Sequence, residues 1–143
     1  MSSLLGPSGQ TLSSAPAADN TPPADGAVID TTTQTFARDV IEASRDMVVL
    51  VDFWAPWCGI CRLIEPLLYQ FQLESKADLR LVKVNADSSL HLSNTYRLKS
   101  LPTLILFEYG QPTYRLEHVS SRDELRSQLD SLELTLTKAA AFR

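Results

Sequence analysis

An almost uninterrupted apolar run at residues 47–54, reading MVVLVDFW, ends four positions before a cysteine, and this junction constrains the fold more than any other feature. The run is rich in β-branched and aromatic residues, which is typical of a central strand buried on both faces. The next segment, residues 58–75, has apolar residues at helical spacing and contains Pro66, where we expect a kink. The sequence therefore predicts a buried strand that leads directly into a helix.

Strand and helix patterns alternate through the rest of the chain. Short apolar runs predict strands at residues 27–30, 79–85, 103–109 and 113–117. Helical spacing predicts helices after Thr33, at residues 88–96, and from Ser121, where Glu124 completes a capping box. This order predicts an α/β domain in which a small sheet lies between helices.

Composition divides the chain into a domain and two tails. The 143 residues are 44% hydrophobic and 21% charged, which is typical of one soluble globular domain. Residues 1–26 contain four of the eight prolines and few bulky apolar residues, so we expect a disordered tail, with a partner-docking motif as the alternative. The domain is predicted at residues 27–137, and residues 138–143 are expected to form a C-terminal tail.

The charge and the apolar pattern exclude several classes of protein. A formal net charge of -4 has the wrong sign for a nucleic-acid binder. No apolar run approaches the roughly 20 residues that a membrane-spanning helix requires. The first basic residue is Arg38, which fits neither a secretory signal nor a transit peptide. We therefore expect a cytoplasmic protein that binds neither nucleic acid nor membrane.

The two cysteines, Cys58 and Cys61, lie at the predicted start of the helix. The amino terminus of a helix stabilises negative charge, so Cys58 is expected to have a raised thiolate fraction and to act as the nucleophile. Cys61 follows within one helical turn, where it can attack a mixed disulfide on Cys58. This spacing predicts a redox-active pair with Cys61 as the resolving thiol.

Other uses of a C-x-x-C pair fit less well. A zinc site needs four ligands, but no second cysteine pair exists, and His91 and His118 lack ligand-like spacing. Covalent haem attachment needs a histidine at the position of Arg62. A purely structural disulfide that closes so short a loop stabilises little. Haem attachment is thereby excluded, whereas the zinc site and the structural disulfide remain the alternatives.

Asp52 is an acidic residue within the buried strand. Burial of a carboxylate is costly, so the acid is expected to have a raised pKa and to exchange a proton with Cys61 during catalysis. The alternative is a strand-end or solvent-facing aspartate. Lys83, in a later strand, is either a neighbour that tunes Asp52 or an exposed lysine.

Three sequence blocks in order, VDFWAPWCGIC, KVNAD and LPT, show that residues 27–136 resemble the thioredoxin family. The resemblance implies a thioredoxin-like fold, with a central mixed β-sheet flanked by helices on both faces. It also implies thiol–disulfide exchange through a Cys58–Cys61 disulfide, without a bound cofactor or metal. Electrons would come from an external thioredoxin reductase, the substrates would be disulfide-containing proteins, and the chain would be a monomer.

The resemblance also assigns roles to individual residues. It supports Cys58, Cys61, Asp52 and Lys83 as the catalytic set. It implies that Pro102 is a cis-proline facing the disulfide, and that Trp54 packs against the motif. The substrate groove would be formed by Trp57, Gly59, Ile60, Leu101, Pro102 and Thr103.

Two positions depart from the family pattern. Ile60 replaces the usual proline between the cysteines, which restores a backbone N–H and leaves the redox potential open. His118 or Val119 replaces a usual glycine before the last helix. The histidine would be either a titrating group near the disulfide or an exposed loop residue.

The leading hypothesis is a protein-disulfide reductase. Residues 30–45 also look like the start of bacterial thioredoxin-domain chaperones, so a binding module or co-chaperone with secondary redox activity is the alternative. A disulfide donor or isomerase is a third possibility, which the reduction potential would distinguish.

Overall fold

The computed structural model describes residues 27–141. The tail predicted at residues 1–26 lies outside the described residues, as do residues 142–143.

Five strands form one mixed sheet. They are β1 (Ile29–Thr31), β2 (Val48–Trp54), β3 (Leu79–Asn85), β4 (Thr103–Glu108) and β5 (Gln111–Leu116), in the order β1-β3-β2-β4-β5. The strands β1, β3 and β2 run parallel, whereas β4 is antiparallel to β2 and β5 is antiparallel to β4. The expected mixed sheet is confirmed, with β2 at its centre.

The helices agree with the sequence pattern in position but differ in detail. Between residues 27 and 141, the α-helices are α1 (Gly59–Glu74), α2 (Leu90–Thr95) and α3 (Arg122–Ala141). The helix expected after Thr33 is a π-helical turn, Ala37–Glu42, followed by a 3-10 turn, Ala43–Arg45. The helix α3 continues to Ala141, so residues 138–141 are helical rather than part of a separate tail.

Two hydrophobic cores cover the two faces of the sheet. Val48 and Leu50 of β2 pack with leucines of α1 and α3, whereas Val49, Val51 and Phe53 face the other core. That second core includes Val40 of the π-helical turn. The apolar run is nearly continuous because successive side chains point to opposite faces and both faces are covered.

The amino terminus of α3 is fixed by the predicted serine–glutamate pair. Ser121 Oγ accepts a hydrogen bond of 3.1 Å from the N–H of Glu124. The Glu124 carboxylate accepts from the N–H and the hydroxyl of Ser120, one residue earlier than in a standard capping box. The hydrogen bonds from Ser120 hold the pKa of Glu124 below its usual value, and the bond from the backbone N–H has the larger effect.

None of the helices between residues 27 and 141 combines the length and the apolar character that crossing a membrane requires.

Candidate active site

Cys58 and Cys61 form a disulfide at the junction of β2 and α1. Cys58 is the N-cap residue of α1, with extended backbone angles, and its Sγ accepts a hydrogen bond of 3.2 Å from the N–H of Cys61. This bond satisfies one of the donors left free at the start of a helix. Both cysteines are almost completely buried. A sulfur at this position is well placed to carry negative charge once the disulfide is reduced.

Trp57, immediately before the disulfide, is exposed and held by one polar contact. Its side chain is 68% exposed, and Nε1 donates a hydrogen bond of 2.8 Å to Oδ2 of Asp87. The N–H of Asp87 in turn donates to Oδ1 of Asn85 at 2.9 Å. Trp57 is thus an anchored apolar platform beside Cys58. Trp54 instead packs partly buried against the buried group of Ala55, Cys58 and Cys61.

The dipeptide between the cysteines combines an exposed and a half-buried residue. Gly59 is exposed, and an added Cβ would have no neighbour within 4 Å. Ile60 is half-buried and packs against the disulfide group.

The loop before β4 approaches the disulfide through Leu101. The bond between Leu101 and Pro102 is cis, which confirms the geometry expected from the family resemblance. Leu101 packs against the disulfide group, and Pro102 is buried. Thr103 differs from the groove residue that was expected, because it is fully buried and its Oγ1 donates to the carbonyl of Ser100 at 2.7 Å. Thr103 therefore adds no accessible surface to this face.

Asp52 lies in β2 with only 1% of its surface exposed. Burial raises its pKa from 3.8 to about 7, while the charge of Lys83 opposes the rise and that of Glu65 adds to it. Its buried Oδ1 has no hydrogen-bond partner among the described residues. The alternative of a solvent-facing aspartate is thereby excluded. A carboxyl group in this environment exchanges its proton near neutral pH.

Lys83 is paired with Asp52 in the register of β2 and β3, but its ammonium contacts another carboxylate. Its Nζ forms an ion pair with Oε2 of Glu65 and lies 4.6 Å from the centroid of the Trp54 ring. Lys83 is nearly buried, so the expected exposed alternative is wrong. Glu65 was missed by the sequence analysis, although it follows Cys61 by four residues and so shares a face of α1 with it.

Of the two candidates, His118 is the residue that replaces the glycine usual in the family. Its φ is +61°, in the left-handed region that favours glycine, and its side chain is exposed. Val119 is buried in the core. The structure therefore favours the exposed loop histidine.

This arrangement has the parts needed for exchange between a dithiol and a disulfide. The sulfur of Cys58 caps a helix, the second sulfur is bonded to it, and Asp52 is a buried acid with a raised pKa in the adjoining strand. The described residues include no group of three or more histidine, cysteine or acidic side chains suited to a metal ion. The fold and the site thus define a thiol–disulfide oxidoreductase.

Comparisons with known proteins identify the family. The Thioredoxin family model matches residues 27–131. Thioredoxin from Mycobacterium tuberculosis (strain H37Rv) is 36% identical over 106 residues, which cover 74% of this chain and 90% of that protein. The bifunctional thioredoxin reductase/thioredoxin of Mycobacterium leprae is 33% identical over 107 residues, or 75% of this chain and 23% of that protein.

A solved structure agrees with these sequence matches. A mutant thioredoxin from Halobacterium salinarum, which carries a single substitution, aligns with a TM-score of 0.61 and 27% identity, covering 78% of this chain and 95% of that one. The chain belongs to the thioredoxin family. It is a thiol–disulfide oxidoreductase that reduces disulfides through its C-x-x-C pair.

Proposed function

We propose that the protein reduces disulfides in other proteins, with Cys58 as attacking thiolate, Cys61 as resolving thiol and Asp52 as proton acceptor. The observation that carries these roles is the hydrogen bond from the Cys61 N–H to Cys58 Sγ at the start of α1. A donor aimed at this sulfur stabilises the thiolate of Cys58 and favours it as the nucleophile.

The proposed cycle transfers two electrons. The Cys58 thiolate attacks one sulfur of the substrate disulfide, forming a mixed disulfide and releasing the other substrate sulfur as a thiolate. The Cys61 sulfur then attacks Cys58 Sγ, which breaks the bond to the substrate and forms the Cys58–Cys61 disulfide. The second substrate sulfur leaves as a thiolate, so the substrate is reduced and the protein is oxidised.

Asp52 would take the proton that Cys61 loses in the second step. A thiol attacks only after it becomes a thiolate, so a base is needed when the surrounding pH is near neutral. The raised pKa of Asp52, about 7, suits a group that both accepts and returns a proton under those conditions. Its position in β2, the strand that leads into the cysteine motif, supports this role.

The surface around the disulfide supports a protein substrate rather than a small molecule. Trp57, next to Cys58, is a large apolar residue that is exposed, and Leu101 packs against the same disulfide. Exposed apolar side chains of this kind bind extended polypeptide segments better than charged metabolites.

A thioredoxin reductase is the proposed electron donor. The M. leprae relative is named a bifunctional thioredoxin reductase/thioredoxin, which places the two activities together in that protein. We further propose that this chain acts as a monomer in the cytoplasm, where reductases maintain thiols in their reduced form.

Reduction of insulin by a chemical dithiol tests the proposed activity. The wild-type protein should accelerate the reaction well above the rate with dithiol alone, and Cys58→Ser should abolish the acceleration. A folded wild-type protein that gives no acceleration would contradict the proposal. Client protection that persists when both cysteines are serine would instead favour a binding module or co-chaperone.

The reduction potential of the Cys58–Cys61 couple separates a reductase from a disulfide donor or isomerase. Among proteins that exchange thiols and disulfides, a reductant has a potential of about -270 mV and a strong oxidant one of about -120 mV. We expect the potential of this couple to lie closer to that of the reductant. Equilibration with glutathione buffers gives the value directly. A potential near the oxidising end would contradict the reductase.

A further inference from the structure

We propose that Glu65 is a positioning residue for the resolving step, because it binds the ammonium of Lys83 and withholds it from Asp52. This inference rests on the proposed role of Asp52 as proton acceptor. Glu65 is placed by α1, whereas Lys83 and Asp52 are placed by neighbouring parallel strands. The three charges therefore meet where the helix packs on the sheet.

The register of the sheet brings Lys83 close to Asp52. The two residues are direct partners in the register of β2 and β3. Leu50 and Leu81, which lie two residues earlier in the same strands, belong to the core that α1 covers. Because alternate side chains of a strand share a face, Asp52 and Lys83 point to that same face. An ion pair between them would be expected from this placement alone. Among residues 27–141, however, the ion pair of Lys83 is with Glu65, and Asp52 Oδ1 has no hydrogen-bond partner.

Two aromatic rings lie near the Lys83 ammonium and help to hold it beside Glu65. Its Nζ lies 4.6 Å from the centroid of the Trp54 ring and 6.0 Å from that of the Tyr69 ring. Both rings offer a negative face to the cation. Tyr69 follows Glu65 by four residues on α1, so the same helical face supplies the carboxylate and one of the rings.

Within the described part of the chain, the surroundings of Asp52 supply no other cation. The charges that act on it are those of Lys83 on β3 and Glu65 on α1, while the cysteines at the start of α1 are joined as a neutral disulfide. Its partner on β4 is Leu104, and α3 faces this core through leucines. Asp30 on β1 lies beside Lys83 on the other side but is exposed, and the ion pair of Lys83 is with Glu65 instead.

Neutralising Glu65 should therefore change the behaviour of Asp52 in two ways. It removes a negative charge that raises the pKa of Asp52, and it frees the Lys83 ammonium to approach the aspartate. Both changes favour the ionised carboxylate. In the wild-type protein, by contrast, Glu65 helps to keep Asp52 able to carry a proton near neutral pH.

Carboxyl-carbon NMR titration of the full chain in Glu65→Gln tests this inference. The Asp52 midpoint should fall by about one pH unit or more. The matched control is Glu74→Gln, which makes the same change at an exposed glutamate of the same helix and should leave the midpoint unchanged. Glu65→Asp, which retains the charge on a shorter side chain, should give an intermediate shift and serves as the second variant if Glu65→Gln fails to fold. An unchanged or higher midpoint in the folded variants would overturn the inference.

A double-mutant cycle shows whether Glu65 acts through Lys83. In a Lys83→Gln background, Glu65→Gln should move the Asp52 midpoint by less than half of its effect in the wild-type background. An equal shift in both backgrounds would overturn the positioning role. The proton-acceptor role is tested separately, because Asp52→Asn should slow the release of substrate from the mixed disulfide, whatever the Glu65 titrations give.

Discussion

The backbone N–H of Cys61 donates a hydrogen bond of 3.2 Å to the Sγ of Cys58. This N–H is one of the free donors at the start of α1. The sulfur of Cys58 therefore interacts with Cys61 in two ways, through the disulfide and through the positive end of the helix dipole. The relationship is asymmetric, since Cys58 caps the helix and Cys61 lies within it. From this asymmetry we predict different chemical roles for the two sulfurs.

Replacing Cys61 by serine should trap mixed disulfides on Cys58. Without the resolving thiol, the first exchange step proceeds and the second cannot, so the covalent intermediate accumulates. Non-reducing electrophoresis and mass spectrometry with insulin as substrate measure it. Cys58→Ser is the matched control and should trap far less. Equal trapping by both variants, or trapping by Cys58→Ser alone, would contradict the assigned roles.

Asp52→Asn should make the stability of the protein less dependent on pH. The folded state raises the pKa of Asp52 from 3.8 to about 7, so between these values the folded protein binds more protons than the unfolded chain. The free energy of unfolding contributed by this group therefore falls as pH rises through the window. The full effect is about 4 kcal/mol, because each tenfold change in proton affinity corresponds to about 1.4 kcal/mol.

Denaturant unfolding of the oxidised proteins at pH 5, 6, 7 and 8 measures this effect. The stability of Asp52→Asn relative to wild type should increase from pH 5 to 8 and level off above the pKa of Asp52. A constant difference across the range would show that Asp52 has an ordinary pKa in the folded protein.

His118→Gly should stabilise the protein. His118 has a φ of +61°, where a side chain is disfavoured by about 1 to 2 kcal/mol and glycine is not. Part of this gain is lost because glycine is more flexible in the unfolded chain, so we expect a net gain of about 1 kcal/mol. His118→Ala is the control, since it removes the imidazole but retains the Cβ. Thermal unfolding should rank glycine above both alanine and wild type, and equal stability of the glycine and alanine variants would contradict the strain.

Ser121→Ala should destabilise the protein by about 1 kcal/mol, because it removes the hydroxyl that accepts from the Glu124 N–H at the start of α3. Ser127→Ala, at an exposed position inside the same helix, is the matched control and should be neutral or slightly stabilising. Denaturant midpoints measure both. A neutral Ser121→Ala would show that the cap does not contribute.

The sequence predicted the parts of the fold that depend on local pattern. The apolar run that ends at Trp54 became β2, and the serine–glutamate spacing located the start of α3, because strand burial and helix capping both act over a few residues. The cis bond before Pro102 came only from the family resemblance, since composition alone favours the trans form.

Other features depend on packing between distant elements. The contact between Glu65 and Lys83 joins residues 18 positions apart, and it forms only because α1 packs on the sheet. The burial of Thr103 and the π-helical turn at Ala37–Glu42 likewise depend on tertiary contacts that no local pattern contains. For this reason the candidate cysteines and Asp52 could be identified from sequence, whereas the partner of Lys83 could not.

A single-turnover reaction shows directly whether the Cys58–Cys61 pair supplies the electrons that reduce a substrate disulfide. Fully reduced protein is mixed with excess insulin in the absence of any other reductant, and free insulin thiols and the oxidation state of the protein are followed by mass spectrometry. One insulin disulfide should be reduced per protein molecule, with formation of the Cys58–Cys61 disulfide in equal amount. Absence of insulin thiols, or insulin reduction without formation of that disulfide, would contradict disulfide reduction by this pair.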